Sequence, residues 1–385
     1  MNEDSQLSKI ATTCLFLSFF SAYVGIISLV YAVMLPMLIV KVDKNYKITF
    51  YDFFHIIVLL VFACLKFFQV GFFTADSILR YYLGVVLVYQ FSKTYAVKLD
   101  IQKILFVFCI CVIAEGVIIN IFFDPFQYLP NYPHAAFEEQ MIGHYTKFMG
   151  FYQRPYSVGM NSSTSSTILC AMMIFRDILI KNKAIVADKK IEILGAVSIL
   201  MLASGVGLAL YFFYLLHKFQ LLTLKRFLIL LAIVVLMLNY YAQVSEFISP
   251  DSIFQKVSSG YVNFLEDYKT EQVTSVFSEL KEPGNSLWIG KAFETKSEII
   301  TQSDFAWNDL FICLGFGGLI LLISFLVNKV NKFTLFPILI FIIGAFHYGG
   351  MFTLAGQIIL AQILCADYQP VHIDKNTATE IAAQV

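Results

Sequence analysis

Charge is what this sequence has least of. Asp, Glu, Lys and Arg make up 14% of its 385 residues, where soluble domains carry roughly a quarter. Hydrophobic residues make up 58%, and the mean hydropathy is +0.73. These values exclude a soluble globular fold and predict an all-α, polytopic membrane protein. With a net charge of zero, only the placement of charge along the chain is informative. Cysteine is missing from the long polar stretches: all seven, at positions 14, 64, 109, 111, 170, 313 and 365, lie in apolar runs. That placement predicts no disulfide and no thiolate metal site. There is no HExxH pair and no phosphate-cradling loop, and the histidines at 134, 144 and 347 are scattered. No metal or other cofactor is expected, nucleotide sugars and ATP are poor substrates, and no nucleic-acid partner is expected. The opening "MNEDSQLSKI" is acidic, and no small-residue cleavage site follows the first apolar run, which argues against a removed signal peptide.

What is present is a series of apolar stretches, at about 10–40, 53–73, 78–92, 103–123, 161–176, 191–217, 226–243, 308–327, 333–347 and 350–366. One span takes about 20 residues. The first run and the run at 191–217 are too long for one upright helix, so each is read as a helical hairpin, turning near Gly25 and at Ser204-Gly205. This makes about 12 transmembrane helices in a single membrane domain over 1–385. Reading 10–40 as one tilted span gives 11 and moves only the N-terminus. Short cytoplasmic loops should hold the Lys and Arg. With the N-terminus inside, the inner loops carry Lys41, Lys44, Lys47, Lys93, Lys98, Lys103, Arg176, Lys181, Lys183, Lys189, Lys190, Lys218, Lys225, Arg226, Lys329 and Lys332. The short outer connections at 74–80, 204–205 and 347–350 hold only Arg80.

Two outer loops are long. The first, 124–160, has four prolines, five tyrosines, His134 and His144. The second, 244–307, carries ten Asp or Glu against five Lys. Within it, apolar residues from Ile253 to Leu280 recur at nearly helical spacing and stop at the turn signal "EPGN", 282–285. Amphipathic helices resting on the outer mouth or the headgroup layer are predicted there, with a solvated cap as the other reading.

Of the chain's four arginines, only Arg80 and Arg154 fall outside in this orientation. A guanidinium forks onto phosphate oxygens, so an arginine at the outer lipid boundary suits a lipid phosphate or diphosphate; an interfacial anchor is the plainer role. Arg154 sits beside Pro155, which fixes local backbone, and near Tyr152 and Tyr156. Lys66 and Glu115 lie within spans, each roughly 10–12 Å below the outer surface at 1.5 Å per residue. An unpaired charge near the bilayer centre costs about 2.5–3.5 kcal/mol, so an intramembrane ion pair between them is predicted, with a proton or ion relay as the rival. In "TQSDFAWNDLFICLGFGGLILL", 301–322, Asp304 precedes a span and is a candidate base. Asp309 stands in the first turn, where a helix dipole favours negative charge. "GFGG", 315–318, reads as close helix packing rather than ligand contact. His347 opens the turn "HYGG" before the last span.

The order of "RPYSVGMNSS", "LMLASGVGLAL", "LWIGKAF", "WNDLFICLGFGGLILLISFL" and "HYGGMFTLAGQIILAQIL" resembles the Wzy-type O-antigen and capsular polysaccharide polymerases, relatives of the O-antigen ligases. The likeness covers most of the chain. It departs from the family pattern at Ser204-Gly205, where many members have Ser-Arg, and at Trp307-Asn308, where ligases have His-Asn. The resemblance implies a metal-independent glycosyltransferase in the bacterial inner membrane, its active site facing the periplasm. Its substrates would be undecaprenyl-diphosphate-linked glycans, and a chain-length regulator and a flippase would be partners. Arg154 would hold the diphosphate, with Arg80 or a lysine of the outer loop second. Asp304, His134, His144 and His347 would be candidates for the catalytic base. Tyr152, Tyr156, Asn161, Trp307 and Asn308 would line the substrate path. A ligase and a 12-span transporter or flippase stay open as other readings.

Overall fold

The computed structural model describes residues 3–21, 27–41, 50–71, 78, 83–121, 147–148, 152–159, 161–219, 276–292, 306–346 and 348–366. Its long elements are helices: α1 (Glu3–Phe19), α2 (Ile27–Lys41), α3 (Phe50–Val70), α4 (Gly84–Thr94), α5 (Ile101–Ile121), α6 (Ser162–Lys181), α7 (Lys189–Leu202), α8 (Gly205–Lys218), α9 (Ala306–Lys329), α10 (Leu335–Gly344) and α11 (Leu354–Cys365). A two-residue antiparallel ladder pairs β1 (Lys147–Phe148) with β2 (Tyr152–Gln153), and 3₁₀ turns occupy Ser157–Gly159 and Gly350–Phe352. Among the described residues, four helices are long and apolar enough to cross a membrane: Phe53–Val70, Ile101–Ile121, Ser162–Lys181 and Ala306–Lys329. The apolar stretches Leu29–Leu38, Leu335–Gly344 and Leu354–Cys365 are shorter. Apart from the two-residue ladder the regular elements among the described residues are helical, and the four long apolar helices are consistent with a membrane protein. The predicted span at 226–243 lies outside the described residues, as does most of the amphipathic pattern of the second outer loop.

Both long apolar runs divide. The first becomes α1 and α2. The second breaks where Ala203 takes the left-handed conformation at φ +44° and Ser204 caps α8, its side chain accepting from the Gly207 N–H. The other boundaries have local causes too. Asn161 is extended and accepts from the Ser163 N–H to start α6, Asp188 does the same for α7 through Lys190, and Thr353 starts α11 through Gly356.

The bundle is built round α6, whose apolar window is 89% buried, against 17% for α3. Helices α5, α7, α8, α10 and α11 all pack on α6. Its first turns read SSTSST, and all six hydroxyl side chains, Ser162 to Thr167, are buried. Small size explains the run. A Cβ on Gly207 would fall 2.4 Å from Ser166 Oγ, one on Gly344 2.5 Å from Thr167 Oγ1, and one on Gly159 2.6 Å from Ser165 Oγ. Neighbouring backbones therefore approach α6 closely, as small residues permit in membranes. Two of the hydroxyls also bond back along the helix, Ser166 to the Ser162 carbonyl and Thr167 to that of Ser163.

The described lysines of the predicted inner loops gather at one end of the bundle. Gln102 at the start of α5 donates to the Val186 carbonyl between α6 and α7; Lys93 and Lys329 both lie over the Tyr89 ring, and Lys218 pairs with Glu192. Arg176 departs from expectation. It is not a loop residue: α6 runs on to Lys181, and the Arg176 side chain is 1% exposed. Its guanidinium lies 3.4 Å from both Asp177 and Glu192 and donates to the Asp188 carbonyl at 2.8 Å. A permanently charged group cannot be left bare in the bundle, and these acceptors from α6, α7 and the α6–α7 connection answer it.

Candidate functional site

The opposite end holds the resembled motifs. Glu115, 3% exposed near the end of α5, turns its carboxylate to the chain entering α6. Its Oε1 accepts from the Tyr156 N–H at 2.6 Å, and both its oxygens accept from the Ser157 N–H, at 3.2 and 3.1 Å. Ser157 is in the left-handed region at φ +55°, a conformation costing a non-glycine residue about 1–3 kcal/mol that persists where surroundings over-determine it. The surroundings are two-sided. Ser165 of α6 donates to the Tyr156 carbonyl at 2.5 Å and accepts from the Gly159 N–H at 3.0 Å. Successive backbone N–H groups around a left-handed residue form an anion-binding concavity, and here the anion is the protein's own carboxylate.

Arg154 stands two residues before this clamp, half-buried, followed by buried Pro155 and half-buried Tyr156. The Ser157–Gly159 turn packs on α5, α6 and α11. Beside it, the starts of α6 and α8 meet through Ser163 and Ser204, whose hydroxyls lie 2.8 Å apart. The Gly350–Phe352 turn covers α6 from another side, and Trp307 at the start of α9 stacks edge-on to Phe352 and donates to the Ile342 carbonyl at 3.1 Å. The same end of the bundle therefore holds Arg154, Tyr156 and Asn161 together with Trp307 and Asn308. Asn161 uses its side-chain oxygen as the α6 cap, Trp307 uses its indole N–H on α10, and Asn308 is buried. Asp309 stands in the first turn of α9. Tyr152 lies in β2, its side chain outside the described residues, as are Arg80, His134, His144, Asp304 and His347.

The predicted ion pair between Lys66 and Glu115 is not formed. All three Lys66 N–H groups find neutral acceptors: Gln69 Oε1 at 2.7 Å, the Ile289 carbonyl at 3.0 Å and the Lys291 carbonyl at 2.9 Å. Each charge is met separately, Lys66 by Gln69 and two loop carbonyls and Glu115 by backbone N–H groups among its partners.

The two carbonyl acceptors of Lys66 belong to a docked loop. After a short helical turn at 276–280, residues 286–290 close a tight bridge between Ser286 and Gly290. This loop inserts where α9 is interrupted at Gly315, φ +62° and ψ −167°. The Phe316 and Gly317 N–H groups freed by the break donate to the Leu287 and Trp288 carbonyls, at 2.8 and 2.9 Å, and the Lys291 N–H donates to Ile312 at 2.7 Å. Gln69 of α3 adds a bond to the Gly290 carbonyl at 2.8 Å. The glycines of "GFGG" do permit close packing, but of a loop's backbone rather than of a helix: a Cβ on Gly315 or Gly317 would lie 2.6 Å from the Leu287 or Trp288 carbonyl oxygen. Trp288, 65% exposed, is presented on this fixed loop next to Phe316.

Sequence reasoning missed Ser165, Ser157 and the buried Arg176 network. The readable signal was a carboxylate inside an apolar helix with an apolar-to-polar loop, "RPYSVG", returning to the same depth. Among the described residues no group of three or more His, Cys, Asp or Glu side chains is placed to share a metal. Compared with known proteins, the chain matches no family model, no curated protein and no solved structure.

Proposed function

We propose that this chain is a polysaccharide repeat-unit polymerase of about 12 spans in a bacterial inner membrane, joining polyprenyl-diphosphate-linked oligosaccharides at the periplasmic face. The observation that carries the reading is Arg154, half-buried beside a turn locked to α5 and α6, at the end of the bundle away from the lysines of the predicted inner loops. The order of motifs that resembles the Wzy-type polymerases supports it.

In this reading the acceptor hydroxyl, on the terminal sugar of a newly arrived repeat unit, attacks the anomeric carbon of the growing chain. The new glycosidic bond forms as the bond from that carbon to the diphosphate oxygen breaks. Undecaprenyl diphosphate leaves with the bonding electrons, and the hydroxyl proton passes to a base, for which Asp304, His134, His144 and His347 are the candidates. Arg154 answers the charge that builds on the departing diphosphate. One preorganised contact of this kind is worth about 10²–10³-fold in rate.

The test is a gel of surface polysaccharide from a strain lacking the gene, restored with wild type, Arg154→Ala or Arg154→Lys. Deletion should collapse the ladder to single repeats, the alanine variant should fail to restore it and the lysine variant should restore part. A normal ladder with Arg154→Ala would overturn the assignment. Loss of attached glycan with polymer still accumulating on the carrier would mean a ligase, and an unchanged ladder on deletion would leave the transporter.

A further inference from the structure

A carboxylate held in a membrane bundle by backbone N–H groups fixes the chain that supplies them. Glu115 takes the two N–H groups of Tyr156 and Ser157, Ser165 takes the Tyr156 carbonyl and the Gly159 N–H, and all of these bonds run from helix side chains to one turn. The turn is dry: Ser157 and Val158 are 0% and 1% exposed. Pro155 limits the one residue between the clamp and Arg154 to a single φ. Helices α5 and α6, which belong to the buried part of the bundle, thereby set where the Arg154 backbone stands.

We propose that Glu115 is a positioning residue for Arg154: its carboxylate holds the Tyr156–Gly159 turn so that the arginine is in place before a diphosphate-bearing substrate arrives. This rests on the reading of Arg154 as the diphosphate contact. Glu115 touches no reacting atom. It acts through the turn, by removing the freedom that a loop arginine would otherwise lose on meeting its anion. The carboxylate also serves in place of an external anion in the backbone concavity, so the diphosphate is left to the side chain of Arg154 rather than to these N–H groups.

The experiment is hydrogen exchange on the full-length protein in detergent, run beside the polysaccharide gel, for wild type, Glu115→Gln and Glu115→Asp. Exchange at Tyr156 and Ser157 should be slow in wild type and accelerate about ten- to a hundredfold in Glu115→Gln, the range for losing a bond to a charged acceptor. The amides of α6 beyond Thr167 should not change. Chain growth should fall by a similar factor in Glu115→Gln and recover in part with Glu115→Asp, which keeps the charge on a shorter arm. Unchanged exchange at 156 and 157 in Glu115→Gln would overturn the proposal, as would faster exchange with a normal polysaccharide ladder. If Glu115→Gln does not fold, Glu115→Asp carries the test alone, with intermediate exchange expected and wild-type exchange and growth overturning it. Full chain growth in Arg154→Ala removes the diphosphate reading instead, and the exchange result then still reports whether Glu115 holds the turn.

Discussion

The two ends of the bundle neutralise buried charge by different means. At the lysine-rich end charged side chains predominate: Arg176 lies between Asp177 and Glu192, with the Asp188 carbonyl as a further acceptor, and Glu192 in turn meets Lys218 of α8. At the other end backbone takes the larger share: Lys66 donates to the Ile289 and Lys291 carbonyls as well as to Gln69 of its own helix, and Glu115 accepts from the Tyr156 and Ser157 N–H groups. The first arrangement ties helix to helix, since its charged side chains stand on α6, α7 and α8. The second ties loop to helix, since its peptide partners, at 156, 157, 289 and 291, lie in loops and could be almost any residue. A bundle that must present loops at one face while staying fixed at the other would be expected to divide its charges in this way.

The comparison breaks first, and with the largest effect, at Arg176. Replacing it by leucine leaves Asp177, 7% exposed, and part of Glu192 without their guanidinium, and removing one member of a buried pair costs about 3–5 kcal/mol. Arg176→Leu should lower the thermal midpoint of the purified protein and its abundance in membranes more than any other single change considered. Unchanged melting would mean that the network contributes little to holding α6, α7 and α8 together.

Lys66 should give a smaller and more local loss. Lys66→Met keeps the length of the side chain but strands two loop carbonyls and Gln69, and a bond to a charged donor is worth about 1.5–3 kcal/mol. The expected sign is fast hydrogen exchange and protease sensitivity within 284–292, with the amides of α6 and α7 still protected. If α6 loosened as much as the loop, the division between a helix-tying end and a loop-tying end would fail.

Much of this architecture was legible in the chain. Apolar runs of spanning length, lysines at alternate connections, and a serine followed by glycine at 204–205 each carry a local cause, and α7, α8 and the gathering of lysines at one end follow from them. Partnerships were not legible. Lys66 and Glu115 sit at similar depth with opposite sign, and pairing them is what residue letters suggest. The bonds they make are mostly to peptide groups, which every residue has and no letter marks. Arg176 was misplaced for a related reason: a charged residue ending an apolar run resembles the start of a loop until Glu192, in the following helix, is known to face it. The glycines at 315–318 announced close approach without saying what approaches, because the loop that docks there arrives from a different stretch of sequence. Of the candidate site, the motif around Arg154 was legible and its clamp was not.

The smallest expected effect sharpens the comparison most directly. If Lys66 and Glu115 have separate partners, their mutations should act independently. Among the described bonds, Lys66 uses residues 69, 289 and 291, whereas Glu115 holds 156 and 157, and the two sets share no residue. Sites without shared partners add to within about 0.3–0.5 kcal/mol, whereas groups in direct contact show coupling of about 0.5–3 kcal/mol. A double-mutant cycle of Lys66→Met and Glu115→Gln, read by thermal midpoint, should therefore give coupling near zero, and exchanging the two charges should restore neither abundance nor folding. Rescue by the swapped pair would place the two charges in contact and return the bundle to a single mode of neutralising charge, side chain to side chain at both ends.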